Sequence, residues 1–205
     1  MTLFFFLRHF SKNVMIIIKN EYYNYKEVNM KKKVNHKVFF PIGISGAGKS
    51  TLYFSKYSFC ILIEPDQIRK EYLGDVNDQT RNGCVFDLTH HKLLEIMSYG
   101  VDDIYLSETH LWLEGLKDEI QMVLSYGYEP VFILFDNASR NPSLCRERVR
   151  NAISRGDDRC NTVDVTIRVN DEEKSLIDSM SERYIQMVDS DDFKNFVYGY
   201  KVIRI

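Results

Sequence analysis

The chain has 205 residues, of which 44% are hydrophobic, and its formal net charge at pH 7 is −2. This length is typical of one domain, and the apolar content is sufficient for a sizeable core. The small negative charge gives no strong overall field that would attract nucleic acid, so a polynucleotide would have to be bound locally, at an end, rather than along an extended basic face.

The first 36 residues are expected to form an extension that precedes a main domain of residues 37–205. Residues 26–28 (Lys-Glu-Val) can be encoded by codons that contain a bacterial ribosome-binding sequence, and Met30 follows closely. Met30 is therefore a candidate for the true start of translation. The alternative is an N-terminal extension that is disordered or packs loosely on the domain.

The apolar runs of this extension do not resemble a membrane span or a secretion signal. Basic residues interrupt them, they fall short of the ~20 residues that a span needs, and no small-residue cleavage site follows. The four cysteines show neither C-x-x-C nor Cys/His metal spacing, which is typical of reduced thiols. We therefore expect a cytoplasmic protein without a membrane partner, whose oligomeric state the sequence leaves open.

From Lys37 onward, short apolar runs alternate with amphipathic stretches, a pattern that predicts an α/β fold with a parallel sheet. Five strands are predicted, at residues 38–42, 59–63, 103–106, 131–135 and 200–205. Helices are predicted at residues 49–56, 65–72, 85–98 and 112–126, from residue 142 onward, and within residues 172–187. Glycines that follow several of these stretches predict where the helices end.

The first predicted strand leads directly into Gly43-Ile44-Ser45-Gly46-Ala47-Gly48-Lys49-Ser50, which matches the pattern G-x-x-x-x-G-K-[ST] without gaps. Such a loop turns successive N–H groups toward phosphate oxygens, and the following helix adds a partial positive charge. Lys49 is expected to bridge the β- and γ-phosphates of ATP, and the Ser50 hydroxyl to coordinate Mg²⁺. The predicted nucleotide-binding residues are Gly43, Ser45, Gly46, Ala47, Gly48, Lys49, Ser50 and Thr51.

This motif refines the fold prediction to a P-loop NTPase-type, three-layer α/β fold. We expect a parallel five-stranded sheet, helices on both of its faces, and a basic lid. A phosphate-binding loop alone does not determine where a phosphoryl group goes, because water, a protein or a small acceptor are all possible.

An acceptor side is indicated by Asp66 and Arg69, which follow the second predicted strand. Open parallel sheets bind ligands at the edge where their strands end. An aspartate there can accept the proton of an attacking hydroxyl, and an arginine one helical turn later can hold an acceptor phosphate. The alternative is that Asp66 caps a helix and Arg69 is a solvated surface charge.

These motifs, with Ser107-Glu108-Thr109 after the third strand and Arg155-Gly156 in a late basic helix, resemble the kinase domain of phage-type polynucleotide 5′-hydroxyl kinases. The resemblance extends from about residue 38 to residue 205. It implies that Asp66 is the general base and that Arg69 contacts the phosphate 3′ of the accepting nucleotide. It also assigns Glu108 and Thr109 to the acceptor side, although the family typically has an aspartate where this chain has Glu108.

The resemblance further implies that a lid arginine lies over the ATP phosphates. Arg150, Arg155 and Arg159 compete for this role, and Arg155 is favoured because Gly156 follows it, as in the family. By this likeness the catalytic residues are Lys49, Asp66 and Arg155, and the reaction is transfer of the γ-phosphoryl group of ATP to a 5′-hydroxyl of a polynucleotide.

Two other functions stay open at this point. The same motifs would serve a kinase for a small molecule such as a nucleoside, nucleotide, sugar or antibiotic, which the net acidity favours. A nucleotide-binding regulatory NTPase would need the loop but not Asp66.

Two further sets of side chains are interpreted as structural. His90 and His91 are neighbours in a predicted helix and point in different directions, so they are not expected to bind a metal together. Trp112, Tyr126 and Tyr128 could stack on bases, but aromatic residues beside helices are more typical of a core.

Overall fold

The structure, a computed structural model, describes residues 36–100, 102–156, 162–169 and 171–205. The predictions for residues 1–35 and for Arg159 therefore lie outside the described residues. The strands, in chain order, are β1 (Lys37–Ile42), β2 (Ile61–Ile63), β3 (Ile104–Leu106), β4 (Glu129–Leu134), β5 (Thr166–Val169), β6 (Glu172–Ser175) and β7 (Lys201–Arg204).

Eight helices connect these strands within the described part of the chain. They are α1 (Lys49–Leu52), α2 (Pro65–Leu73), α3 (Asn82–Tyr99), α4 (Leu113–Ser125), α5 (Asp136–Ser139), α6 (Pro142–Ser154), α7 (Leu176–Asp189) and α8 (Asp191–Val197). A wider π-helical turn, Tyr53–Tyr57, continues α1. None of the described helices is long and apolar enough to cross a bilayer.

The main sheet has five strands in the order β2-β3-β1-β4-β7, and every neighbouring pair is parallel. This confirms the predicted five-stranded parallel sheet. Because the strands are parallel, the residues that follow β1, β2 and β3 lie at the same edge, and β3 separates β1 from β2. The order therefore brings the loops after β1, β2 and β3 together.

Helices cover both faces of the sheet, as adjacent residues of β1 show. The Phe39 ring lies 4.7 Å from that of Tyr57 in the π-helical turn. Phe40 points to the opposite face, where its ring lies 6.0 Å from that of Phe132, and Phe132 in turn contacts Phe196 of α8. The sheet is thus the middle layer of three, and its apolar side chains form the centre of the core.

The helix predicted within residues 172–187 is preceded by a hairpin that the sequence analysis did not predict. Residues Glu172–Ser175 form β6 and pair antiparallel with β5, and α7 begins at Leu176. The four residues Glu-Glu-Lys-Ser contain no apolar side chain that could anchor a helical turn on the core. Asp171, with φ of 66°, sits between the two strands and reverses the chain.

Candidate active site

The phosphate-binding loop joins β1 to α1 and packs closely on α6. Gly46 and Gly48 have φ values of 79° and 107°, which side chains rarely adopt. A Cβ atom on Gly46 would lie 2.5 Å from the carbonyl oxygen of Cys145 in α6. Glycine is therefore required at position 46 both for its backbone conformation and for the close approach of the helix.

The functional side chains of the loop are held by nearby polar groups. The Lys49 ammonium donates to the carbonyl oxygens of Gly43 and Ile44, at 2.9 and 3.0 Å, and so lies across the loop. The Ser45 hydroxyl is 2.8 Å from that of Thr162, so the chain segment after α6 reaches the loop. Thr51, the last of the predicted nucleotide-binding residues, is exposed on α1.

Glu64 is a site residue that the sequence analysis missed. It directly follows β2, and its Oε1 accepts hydrogen bonds from the hydroxyls of Ser50 at 3.2 Å and Ser107 at 3.4 Å. Burial raises the pKa of Glu64, and the neighbouring charge of Asp66 raises it further. The signal in the sequence was an acidic residue immediately after a predicted parallel strand, the position at which such sheets bind ligands.

Asp66 and Arg69 lie on the first turns of α2 and pair with each other. The Asp66 side chain is 42% exposed, whereas that of Arg69 is only 5% exposed. The guanidinium of Arg69 contacts the Asp66 carboxylate and also donates to Asn82 Oδ1 at 2.9 Å. Asp66 is thus accessible to an acceptor, while Arg69 is an internal partner that orients it.

The segment after β3 lies against the phosphate-binding loop. The carbonyl oxygen of Thr109 accepts a hydrogen bond from the Gly43 N–H at 3.2 Å. The Glu108 side chain, in contrast, is buried and groups with His90 and Glu119 rather than with Ser50. Thr109 therefore touches the loop directly through its carbonyl oxygen, whereas the Glu108 side chain lies in the buried set with His90 and Glu119.

Glu108 belongs to a buried set of charged groups that also includes His90, His110 and Glu119. Burial together with the charge of Glu119 raises the pKa of Glu108 to about 7. Burial would lower the pKa of His90, but its hydrogen bond to Glu119 and the charge of that carboxylate raise it to about 9. His90, interpreted from sequence as structural together with His91, is brought to Glu108 only by the tertiary fold.

Arg155 caps the C-terminal end of α6 and is exposed, and Gly156 follows it with φ of 80°. Arg150, the competing residue that the structure also describes, is exposed on the same helix. A third arginine, Arg148, reaches the loop itself and donates to the carbonyl oxygen of Ala47 at 3.3 Å. Helix α6 therefore presents a series of arginines, of which Arg148 contacts the loop.

The phosphate-binding loop and Glu64 fit a nucleoside triphosphate with Mg²⁺. The two left-handed glycines have the backbone conformation of a phosphate-binding nest, in which successive N–H groups can hold phosphate oxygens. The Ser50 hydroxyl and Glu64 carboxylate are oxygen donors, which Mg²⁺ prefers, and Mg²⁺ characteristically keeps several waters beside one or two protein ligands.

Neither a protein-family model nor a curated protein matches the chain. Among solved structures, it is similar to a candidate kinase from Chloroflexus aurantiacus J-10-fl, with a TM-score of 0.51 and 15% identity over 73% of this chain and 80% of the other. It also matches a structure from the PezAT chromosomal toxin–antitoxin system of Streptococcus pneumoniae, with a TM-score of 0.41 and 15% identity over 92% and 94% of the two chains. At these identities the likeness concerns the fold: the chain has a P-loop kinase-like α/β fold, with a five-stranded parallel sheet.

Proposed function

We propose that this protein is an ATP-dependent kinase that transfers the γ-phosphoryl group to a 5′-hydroxyl of a polynucleotide, a reaction of nucleic-acid end repair. The observation that supports a kinase best is the hydrogen bond between Ser50 and Glu64. It joins the phosphate-binding loop to the end of β2, where the exposed carboxylate of Asp66 follows two residues later. The choice of a polynucleotide acceptor derives from the resemblance of the sequence motifs.

Each residue has a defined task in this proposal. Asp66 accepts the proton of the attacking hydroxyl, and its contact with Arg69 holds the carboxylate in one orientation. Lys49 and the N–H groups of the loop bind the phosphates, and Arg155 supplies positive charge from the end of α6. Ser50 and Glu64 would hold Mg²⁺, which neutralises charge on the phosphate oxygens when bound.

A small-molecule acceptor is the second candidate, and the burial of Arg69 favours it. Only 5% of this side chain is exposed, and its guanidinium is engaged by Asp66 and Asn82. Contact with the phosphate of a polynucleotide would require this buried guanidinium to become accessible. A nucleoside or sugar would present its hydroxyl to Asp66 without that rearrangement.

The acceptor can be identified by incubating the protein with γ-labelled ATP, Mg²⁺ and a panel of acceptors. The panel contains 5′-hydroxyl DNA, 5′-hydroxyl RNA, the matching 5′-phosphorylated oligonucleotides, mononucleotides and nucleosides. We expect label on 5′-hydroxyl oligonucleotides and none on their 5′-phosphorylated counterparts. Label on nucleosides or mononucleotides alone would contradict the polynucleotide assignment, and release of phosphate equally with and without acceptors would indicate a regulatory NTPase.

A further inference from the structure

We propose that His90, Glu108 and Glu119 bind one divalent transition-metal ion of the zinc class. The three residues come from three parts of the fold: His90 from α3, Glu108 from the segment after β3, and Glu119 from α4. One ligand atom from each lies within 4.8 Å of the others. The site would be separate from the Mg²⁺ position at Ser50, and it does not depend on the identity of the phosphoryl acceptor.

The environment of Glu108 is the first observation that points to a cation. Its residue surface is 8% exposed, and Oε1 has no hydrogen-bond partner within the described residues. Burying a carboxylate oxygen without a partner costs folding free energy, because the oxygen loses its hydrogen bonds to water and forms none in the protein. Glu119 is buried equally well but faces both His90 and His110, so Glu108 is the carboxylate of the set that a cation would complete.

His110 supports this arrangement from the other side of Glu119. Its Nε2 is 3.1 Å from the carbonyl oxygen of Leu106, which can only accept, so Nε2 carries a proton. Its Nδ1 lies 3.2 Å from Oε2 of Glu119, the carboxylate oxygen opposite the one that His90 contacts. Partners of this kind orient the ligands of a metal, so His110 positions Glu119 and is not itself counted among the three ligands.

The donor set selects the type of ion. Imidazole nitrogen with carboxylate oxygen is typical of Zn²⁺ sites, whereas Mg²⁺ is held by oxygen and retains water. Tetrahedral zinc with ligands about 2.1 Å away separates them by about 3.4 Å. His90 Nε2 and Glu119 Oε1 are already 3.1 Å apart, and Glu108 completes the set by rotating a carboxylate oxygen that forms no hydrogen bond.

Such an ion would stabilise the packing of α3 and α4 against the segment after β3. The Thr109 carbonyl of this segment accepts the Gly43 N–H of the phosphate-binding loop. The role is therefore structural: the ion positions the backbone beside the loop and does not touch the reacting groups.

The test uses the full chain, stripped with a chelator and titrated with Zn²⁺ in the absence of nucleotide. We expect one Zn²⁺ per chain by atomic emission, a higher unfolding temperature, and a change in fluorescence of the single tryptophan, Trp112, which is 69% exposed two residues after His110. The His90→Ala substitution should weaken binding at least about tenfold, the scale on which even indirect partners of a metal act. His91→Ala is the matched control, because His91 faces a groove between α2 and α3 that Ile68 and Tyr72 also line.

Co²⁺ provides a second measurement that does not depend on a variant folding. In the unsubstituted chain, the visible absorption of tetrahedral Co²⁺ with nitrogen ligation should appear at one equivalent, and Lys49→Ala should retain it. The proposal is overturned if less than stoichiometric metal binds, if His90→Ala and His91→Ala bind equally, or if Lys49→Ala abolishes binding, which would assign the ion to the phosphate-binding loop. Failure of phosphoryl transfer alone, with Zn²⁺ still bound, would count against the kinase proposal and not against this site.

Discussion

Asp66 combines accessibility with a fixed orientation, the two properties that a general base needs. Replacing it by asparagine preserves the volume and the contact with Arg69 but removes proton acceptance. We therefore expect Asp66→Asn to lower the rate of transfer by about 10²-fold or more while ATP still binds. Glu71→Gln, an exposed carboxylate on the same helix, is the control and should transfer normally in the γ-labelled ATP assay. Full activity of Asp66→Asn would show that Asp66 is not the general base.

For Glu64 the prediction concerns the Mg²⁺ dependence of transfer, because Glu64 contacts Ser50 and not an acceptor. Glu64→Gln keeps the hydrogen bond from Ser50 but removes the negative charge beside the expected Mg²⁺ position. We expect a rise of about 10- to 100-fold in the Mg²⁺ concentration that gives half-maximal transfer, the scale of loss typical of groups that support a metal ligand. The Mg²⁺ dependence should be unchanged in Glu95→Gln, an exposed carboxylate on α3. An identical Mg²⁺ dependence in Glu64→Gln would exclude the role.

At the level of elements, the packing of the phosphate-binding loop on α6 can be measured with one pair of substitutions. Gly46 and Gly74 have nearly equal φ values of 79° and 78°, but a Cβ has no neighbour within 4 Å at Gly74. Gly74→Ala should therefore cost about 1–2 kcal/mol of unfolding free energy from backbone strain alone. Gly46→Ala should cost a further 1–3 kcal/mol or so from the clash with Cys145, and should also abolish ATP binding. Equal denaturation midpoints for the two variants would contradict the packing.

Helix α6 carries Arg150 and ends at Arg155, two of the candidate lid arginines, and substitutions can distinguish their roles. Arg155→Ala should reduce kcat by about 10²-fold with little change in the KM for ATP, because a lid arginine acts on charge that develops during transfer. Arg150→Ala, one turn earlier and also exposed, is the matched control and should show much less effect. If Arg150→Ala proves to be the more damaging substitution in steady-state kinetics, the assignment of Arg155 is wrong.

For the whole molecule, the proposed start at Met30 is testable by shortening the chain. The described sheet and its core are built from residues at or after Lys37. We therefore expect a protein that begins at Met30 to unfold at the same denaturant concentration as the full chain and to transfer phosphate at the same rate. A lower midpoint or a loss of transfer would show that residues before Met30 belong to the folded protein.

The elements that could be predicted are those whose signal is local. The phosphate-binding loop is one contiguous motif, so its glycine conformations and the positions of Lys49 and Ser50 follow from neighbours in the sequence. Alternation of apolar runs likewise predicted the five strands and most helix ends, such as the stop at Gly74. The hairpin of β5 and β6 was missed because its strands are mostly polar, without the apolar run that predicted the shorter β2 and β3, and are recognised only through their pairing.

The contacts that complete the site could not be predicted, because they join residues far apart in the chain. The sequence alone determined the P-loop, the α/β class and the parallel sheet, since each depends on short motifs or periodicity. The tertiary structure decided that Glu64 contacts Ser50, that Arg148 reaches Ala47, and that His90 joins Glu108 and Glu119. The physical reason is the strand order: insertion of β3 between β1 and β2 determines which loop ends meet, and no local pattern encodes that choice.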